Sequence, residues 1–502
     1  MKQLDAFLDS ITMYRLLLYY LIGLLGIAVF VALAGFLHYH PLDIIFSSLY
    51  LVAVCWITNK LFGYAFNAPT NVESPLITAL ILALIISPTH STSGVIFLTA
   101  AGGLAIASKY VLAIRDRHLL NPAAAAVVLT AFGAGDAASW WIGAASMLPY
   151  VLIGGVLLVR RIRRTQMVLW FISSALVATA AYGLIQGSDV PTLLQRVLLS
   201  SSLFFAAFVM LTEPLTSPTT KGKRAWYSVL VGAIFPPQFA LFGVHSTPEL
   251  ALLAGNVFSY IVGPRTKTFL RLNTKTPLSH DSIDFAFTPK RPFQYTPGQY
   301  MEFTFQHPHT DARGARRYFT LASSPTEPDV HIGIKFYKPS SSFKRELHEL
   351  TSESRIIAGQ LGGDFTLPKD PARKIVFIAG GIGITPFRSM LKYLVDTNEK
   401  RDIVLLYAAR TPADIVYQDV FDAAAKKLGV RVTYLVDAGN TTPPFRVGRV
   451  TPELVRELVP DFADRLFYVS GPHGMVVGAS ESLKAIGVAN RNIKKDFFSG
   501  YA

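Results

Sequence analysis

Two hydrophobic patterns divide the 502-residue chain near position 265. Before it, apolar residues run in long blocks at about 13–37, 42–58, 75–88, 94–112, 122–134, 139–159, 167–186, 194–212, 226–243 and 248–263. Each block is long enough, or nearly so, to cross a bilayer, which takes about 20 helical residues. The pattern predicts about ten spans, the shorter ones open to a re-entrant or broken form. From Asp281 to Phe305 apolar and polar positions alternate around Thr296-Pro297-Gly298, which predicts antiparallel strands. Further on, apolar runs at about 374–379, 402–408, 430–436 and 466–470 are separated by helical periods, as in a parallel doubly wound sheet. The expected organisation is a polytopic α-helical membrane bundle at 1–265, a linker at 266–279, an antiparallel β domain at 280–370 and an α/β domain at 371–502.

Charge orients the first of these. The net charge is +14, and its basic residues fall in alternate loops: Lys60; Lys109, Arg115 and Arg117; Arg160, Arg161, Arg163 and Arg164; Lys221, Lys223 and Arg224; Arg265 and Lys267. The other loops carry almost none, Arg196 being the main exception. By the positive-inside rule, both termini and the β and α/β domains lie on the cytoplasmic side of the plasma membrane, in a multi-pass chain. Orientation beside anionic lipid accounts for the positive charge, so the bilayer is the partner and no nucleic acid is implied. The first apolar run is too long for a cleavable signal peptide and lacks a cleavage pattern.

Composition also excludes two redox classes. The single cysteine, Cys55, lies in an apolar segment, so the chain cannot supply four thiolates to an iron–sulfur cluster. His38, His40, His90, His118 and His245 sit at span ends or in loops, with no pair several turns apart in one segment to hold a haem. No metal site is expected.

The candidate chemistry lies after residue 280. Lys374-Ile375-Val376-Phe377 leads into Ile378-Ala379-Gly380-Gly381-Ile382-Gly383-Ile384-Thr385-Pro386, a strand, glycine turn and helix start suited to a pyrophosphate. Upstream stands Arg317-Tyr318-Phe319-Thr320, and downstream Ser470-Gly471-Pro472-His473-Gly474-Met475. A guanidinium suits a phosphate and an aromatic face suits a planar ring. Together these motifs resemble those of the ferredoxin-NADP reductase family, which moves a hydride from a nicotinamide to a flavin.

The resemblance implies a flavin β-barrel at 280–370, FAD as cofactor, and an NAD(P)-binding domain at 371–502 for NADH or NADPH. It places flavin phosphate on Arg317, the flavin ring on Phe319, and the Thr320 hydroxyl beside N5. Tyr337, Ser341 and Ser342 resemble the second phosphate loop with its helix, although a serine-rich helix cap also explains the serines. Gly363 belongs to the turn between lobes. Gly380, Gly381, Gly383, Thr385 and Pro386 would cradle the dinucleotide, and Gly471, Pro472 and Met475 would admit the nicotinamide. Ser470 stands where the family has cysteine. Asp496 and Phe498, in Asp496-Phe497-Phe498-Ser499-Gly500-Tyr501, resemble the terminal segment that borders the flavin. Arg410 and Tyr417 would read the adenosine of either nucleotide.

The membrane half resembles a second family through Leu211-Thr212-Glu213-Pro214, Gly255-Asn256-Val257-Phe258, Ser108-Lys109-Tyr110 and Leu120-Asn121-Pro122-Ala123. These look like the D subunit of Rnf complexes and the B subunit of sodium-pumping NADH:quinone reductase. Those subunits carry FMN on a threonine, but the aligned segment here is Gly143-Ala144-Ala145-Ser146, with no threonine. Any flavin in the bundle is therefore expected to be non-covalent. The function implied is a membrane-bound NAD(P)H-oxidising flavoprotein oxidoreductase that passes electrons through FAD to a bound flavin, a quinone, an acceptor protein or a far-side acceptor. The alternative is a transporter or ion-translocating protein regulated by a redox-sensing flavin domain.

Overall fold

The computed structural model describes residues 13–66, 73–114, 117–236, 240–241, 244–263, 268–305, 307, 311, 315–337, 340–352, 354–437 and 442–498. The chain forms two compact units, Met1–Gly263 and Pro264–Ala502.

In the first unit the helices are α1 (Met13–Leu33), α2 (Pro41–Ala65), α3 (Glu73–Ile85), α4 (Thr92–Val111), α5 (Pro122–Ala134), α6 (Leu148–Ile162), α7 (Thr165–Ile185), α8 (Val190–Leu199), α9 (Leu203–Met210, ending as a π-helix), α10 (Lys221–Ile234) and α11 (Pro248–Val262). Among the described residues four, α1, α2, α4 and α7, are long and apolar enough to cross a membrane. Joining α8 and α9, bent by 56°, makes five. Helices of full spanning length are thus fewer than the apolar blocks among the described residues. Capped starts are one physical reason. Asn121 caps α5 with Pro122 behind it, and Thr247 caps α11 with Pro248, so these helices have only 13 and 15 residues, and α3 likewise has 13. That is about 20 Å of helix against a hydrocarbon core of about 30 Å. The block expected at 139–159 is likewise divided. Trp140 sits at φ 51°, Trp141–Gly143 is a 3₁₀ turn, and α6 starts only at Leu148.

This unit exposes large apolar side chains around a core that is apolar as well. Phe30, Val177 and Ile185 are 72%, 68% and 80% exposed, while Asn256, Thr179 and Ser228 are buried. Small residues permit the close approaches, as expected for helices that must pack without a hydrophobic drive between them. A Cβ on Gly232 would lie 2.5 Å from the Phe171 carbonyl oxygen, and one on Gly155 would lie 2.0 Å from the Phe208 ring.

The second unit holds two sheets. The strands β1 (Thr268–Ser279), β2 (Ser282–Pro289), β3 (Tyr300–Thr304), β4 (Arg316–Thr320), β5 (Val330–Lys335) and β6 (Arg355–Gly362) pair antiparallel in the order β4-β3-β6-β1-β2-β5. No ladder joins the edge strands β4 and β5 among the described residues. Residues 268–279, read from sequence as linker, are instead the strand between β6 and β2. Leu270 and Leu272 alternate into the core between exposed neighbours, and period-two burial of that kind makes a strand. A short helix, α12 (Ser342–His348), precedes β6.

The second sheet is parallel, in the order β10-β9-β8-β7-β11-β12, where β7 is Ile375–Gly380, β8 Ile403–Ala409, β9 Arg431–Val436, β10 Phe445–Val447, β11 Leu466–Pro472 and β12 Ile493–Phe498. It alternates with α13 (Thr385–Thr397), α14 (Gln418–Leu428), α15 (Pro452–Leu458) and α16 (His473–Ala485). All six residues of β7 are buried. Ile375 and Phe377 join the core with Phe387 and Leu391, while Val376 and Ile378 join another with Leu454 and Leu483. Burial on both faces is why β7 reads as an unbroken apolar run rather than an alternating one.

Candidate functional site

The glycine turn after β7 is built by backbone contact. A Cβ on Gly383 would meet Gly471 Cα at 2.5 Å and the Ser470 carbonyl oxygen at 2.6 Å, so Gly381–Ile384 lies directly on the end of β11. Gly380 approaches Met475, whose sulfur would lie 3.2 Å from a Cβ there. Gly381 is left-handed at φ 50° and opens onto free space. Thr385 and Pro386 are buried at the start of α13, where the Thr385 hydroxyl donates to the Ile382 carbonyl at 3.2 Å.

Beside this turn Ser470 is fully buried, and its Oγ has no hydrogen-bond partner. In the β11–β12 ladder Ser470 stands opposite Asp496, and Pro472 opposite Phe498. The segment 499–501 lies outside the described residues. A cavity of about 510 Å³ runs along the carboxyl ends of these strands, lined by Gly380, Gly381, Arg410, Pro472 and Met475 and by Lys335 and Tyr337 of the antiparallel lobe. That size and position suit a dinucleotide.

The flavin residues gather at the other lobe. Arg317 Nη1 donates to the Arg316 carbonyl at 2.7 Å, its guanidinium lies 5.3 Å from the Phe343 ring centroid, and Nη2 is 3.9 Å from Asp311 Oδ1. Ser341 caps α12, its Oγ accepting from Lys344 N at 3.3 Å. Ser342 N donates to Asp311 Oδ2 at 2.8 Å. A carboxylate is therefore held between Arg317 and the α12 start, so these donors fit an anionic phosphate group. Phe319 packs edge-on against Phe303 and tilted against Phe343 on the sheet core, leaving Tyr318 as the exposed ring of β4. Thr320 is buried. Gly363, at φ 112°, lets Tyr300 approach to 3.1 Å from where a Cβ would stand.

Tyr417 departs from the sequence reading. It is buried at φ 61°, and its hydroxyl donates to Asp284 Oδ1 at 2.6 Å rather than facing the cavity. Burial and the Asp284 charge hold that hydroxyl well above the usual tyrosine range, so it stays a proton donor. The second Asp284 oxygen bonds His331 Nδ1 at 2.6 Å, and Arg388, which packs over the Tyr417 ring, pairs with Glu327. Gly333 makes room, since a Cβ there would meet the Tyr417 hydroxyl at 2.6 Å. Tyr417 thus locks the two lobes together. Sequence reasoning passed over Asp284, His331, Glu327 and Arg388. An acid inside the apolar run Ile283-Asp284-Phe285 was the available signal. Lys335, Asp414, Asp437 and Arg449, also at the cavity, were missed as well. Asp281 is held below the usual range although burial raises it, because Lys335 and Ser282 bond its carboxylate. His280, Asp281 and Asp414 form a ligand-type trio at this rim, and Lys335 Nζ already sits 2.8 Å from Asp281.

In the first unit the motifs picked from sequence converge. The Asn121 amide donates to Asn256 Oδ1 at 2.7 Å, Asn121 Nδ2 donates to Glu213 at 2.8 Å, and Lys109 donates to Ser74 and Thr78. At the segment aligned with the FMN site, Ala145 is exposed and Ser146 Oγ is buried without a partner.

Comparison with known proteins agrees with both resemblances. Residues 134–262 match the model of the NQR2, RnfD, RnfE family, and residues 377–481 that of the oxidoreductase NAD-binding domain. The glycine betaine monooxygenase reductase subunit of Chromohalobacter salexigens is 28% identical over 216 residues, 41% of this chain and 57% of that protein. A flavohemoprotein of Rhodopirellula baltica is 30% identical over 227 residues, 42% of this chain and 54% of that protein. The chain thus spans just over half the length of these curated relatives. The flavohem-like FAD/NAD-binding domain of nitric oxide dioxygenase from Vibrio cholerae is 21% identical, with 46% of this chain and 98% of that chain covered and a TM-score of 0.42. Likeness to the oxidoreductase NAD-binding domain thus lies in the C-terminal half, and likeness to the NQR2, RnfD, RnfE family in the N-terminal half.

Proposed function

We propose that the protein is a multi-pass membrane flavoprotein that takes electrons from NAD(P)H through FAD to an acceptor in or across the membrane, such as a bound flavin or a quinone. The observation that carries this is the contact of the Gly381–Ile384 turn with Ser470-Gly471 at the mouth of a dinucleotide-sized cavity, in a chain whose other half matches the NQR2, RnfD, RnfE family. When bound, FAD supplies hydride acceptance and one-electron release. Arg317 and the α12 start would hold its phosphates in place of Asp311, with Thr320 and Phe319 beside the ring. Ser470 Oγ, buried and without a partner, would donate a hydrogen bond at the nicotinamide, and Asp496 across the ladder would fix that edge of the site. Gly381, open to the cavity, would admit the diphosphate. The basic loops support a cytoplasmic position for this half, and the short capped helices support re-entrant segments among ten apolar stretches.

The test compares the full-length protein in liposomes with a fragment 264–502 at matched FAD. The full chain should reduce a lipid-soluble quinone with NAD(P)H much faster, because tethering replaces a diffusional encounter. Equal rates would reduce the bundle to an anchor and favour a redox-regulated transporter instead. Arg317→Ala should weaken FAD binding about 10- to 150-fold, equivalent to about 1.5–3 kcal/mol for a charge-assisted contact. Unchanged flavin content would remove Arg317 from the site.

A further inference from the structure

The far end of the cavity carries a charge arrangement that distinguishes the two nicotinamide nucleotides. Asp437 follows the last residue of β9, and its amide donates to the Arg410 carbonyl at 3.1 Å, which places it beside the end of β8. Its Oδ1 accepts from Arg449 Nε at 3.2 Å. All three side chains line the cavity at the carboxyl ends of the strands, on the side of the sheet away from Ser470 and Pro472. If the nicotinamide lies at Ser470, the adenosine ribose reaches this trio.

From this geometry we infer that the site selects NADH over NADPH, with Asp437 as the specificity-determining residue. This rests on the function proposed above and names its substrate. A carboxylate at a strand end accepts hydrogen bonds from a ribose diol, the recognition an acidic residue gives NAD in doubly wound folds. A 2′-phosphate would bring a second anion against Asp437. Asp437 also offsets the Arg449 charge that such a phosphate would otherwise meet. Arg410 remains for the diphosphate that both nucleotides share. Arg449 is therefore a phosphate donor whose charge its partner neutralises, and removing Asp437 leaves that charge to the phosphate.

The experiment is calorimetric titration of the full-length protein in detergent micelles with ADP-ribose and with 2′-phospho-ADP-ribose, neither of which needs flavin chemistry. The wild type should bind ADP-ribose at least about tenfold more tightly. Asp437→Ser should shift the ratio at least about tenfold toward the phosphorylated probe, and adding Arg449→Ala should cancel that gain. Tighter binding of 2′-phospho-ADP-ribose by the wild type, or an unchanged ratio in Asp437→Ser, would overturn the inference while leaving the oxidoreductase reading intact. Binding of neither probe would sink both.

Discussion

The two units solve opposite packing problems with the same kinds of residue. In Met1–Gly263 the helices carry apolar side chains on both sides, Phe30 and Ile185 outward and Leu24 and Phe171 inward, and polar bonds from Asn121 and Lys109 tie the helices together. In Pro264–Ala502 apolar residues fill the cores, and the buried polar groups concentrate where the lobes meet, at Tyr417, Asp284 and Arg388. Hydrophobicity tells where a helix lies in the first unit but says little about which face packs. In the second its period assigns both the element and the face.

Truncation should break this comparison most sharply. A fragment 264–502 keeps β1 between β6 and β2 and should fold and bind FAD. A fragment 280–502 loses the strand that both neighbours pair with and should yield no soluble flavoprotein. Equal recovery of both would contradict the strand assignment.

Next in size is a charge placed on an exposed apolar side chain. Val177, 68% exposed in the middle of α7, should cost about 2.5–3.5 kcal/mol of membrane insertion as Val177→Arg, read as lost integration in a membrane-insertion assay. Val447, 44% exposed on β10, should change the thermal stability of fragment 264–502 by no more than about 0.5 kcal/mol as Val447→Arg. Comparable losses at both sites would mean that exposure has the same meaning in the two units.

Glycine tests come third. Gly383→Ala drives a methyl into the Gly471 backbone and should lower the stability of fragment 264–502 by about 1–3 kcal/mol along with its nicotinamide-dependent turnover. Gly474→Ala, with nothing within 4 Å, should leave the melting temperature nearly unchanged. A neutral Gly383→Ala would show that the turn and β11 do not touch.

The smallest effect is at acid pH. Arg465, buried at the start of β11, bonds Asp461 and Asp402. The hydrogen bonds from Arg465 hold the Asp461 carboxyl well below its usual range despite partial burial. Its unfolded value is about 3.9, so this contribution is complete above about pH 4 and is lost as pH falls through the lower folded value. Asp461→Asn should therefore flatten the decline in melting temperature below pH 4 relative to wild type, with a constant offset above. Parallel curves would assign the acid limb to other carboxylates.

The legible parts of this protein were those set by local sequence. The apolar blocks, the buried run of β7, the Gly380–Gly383 turn, the Ser470-Gly471-Pro472 strand end and the Asn121-Pro122 helix start each follow from neighbours along the chain. Their signals are hydropathy, period and backbone freedom, which need no partner to be read. Tertiary structure alone decided that 268–279 is an interior strand. It also turned the Tyr417 hydroxyl away from the cavity onto Asp284, and set Asp437 against Arg449 at the cavity's far end. Each of those outcomes depends on which distant side chain arrives opposite a given position, and a linear pattern carries no record of that pairing.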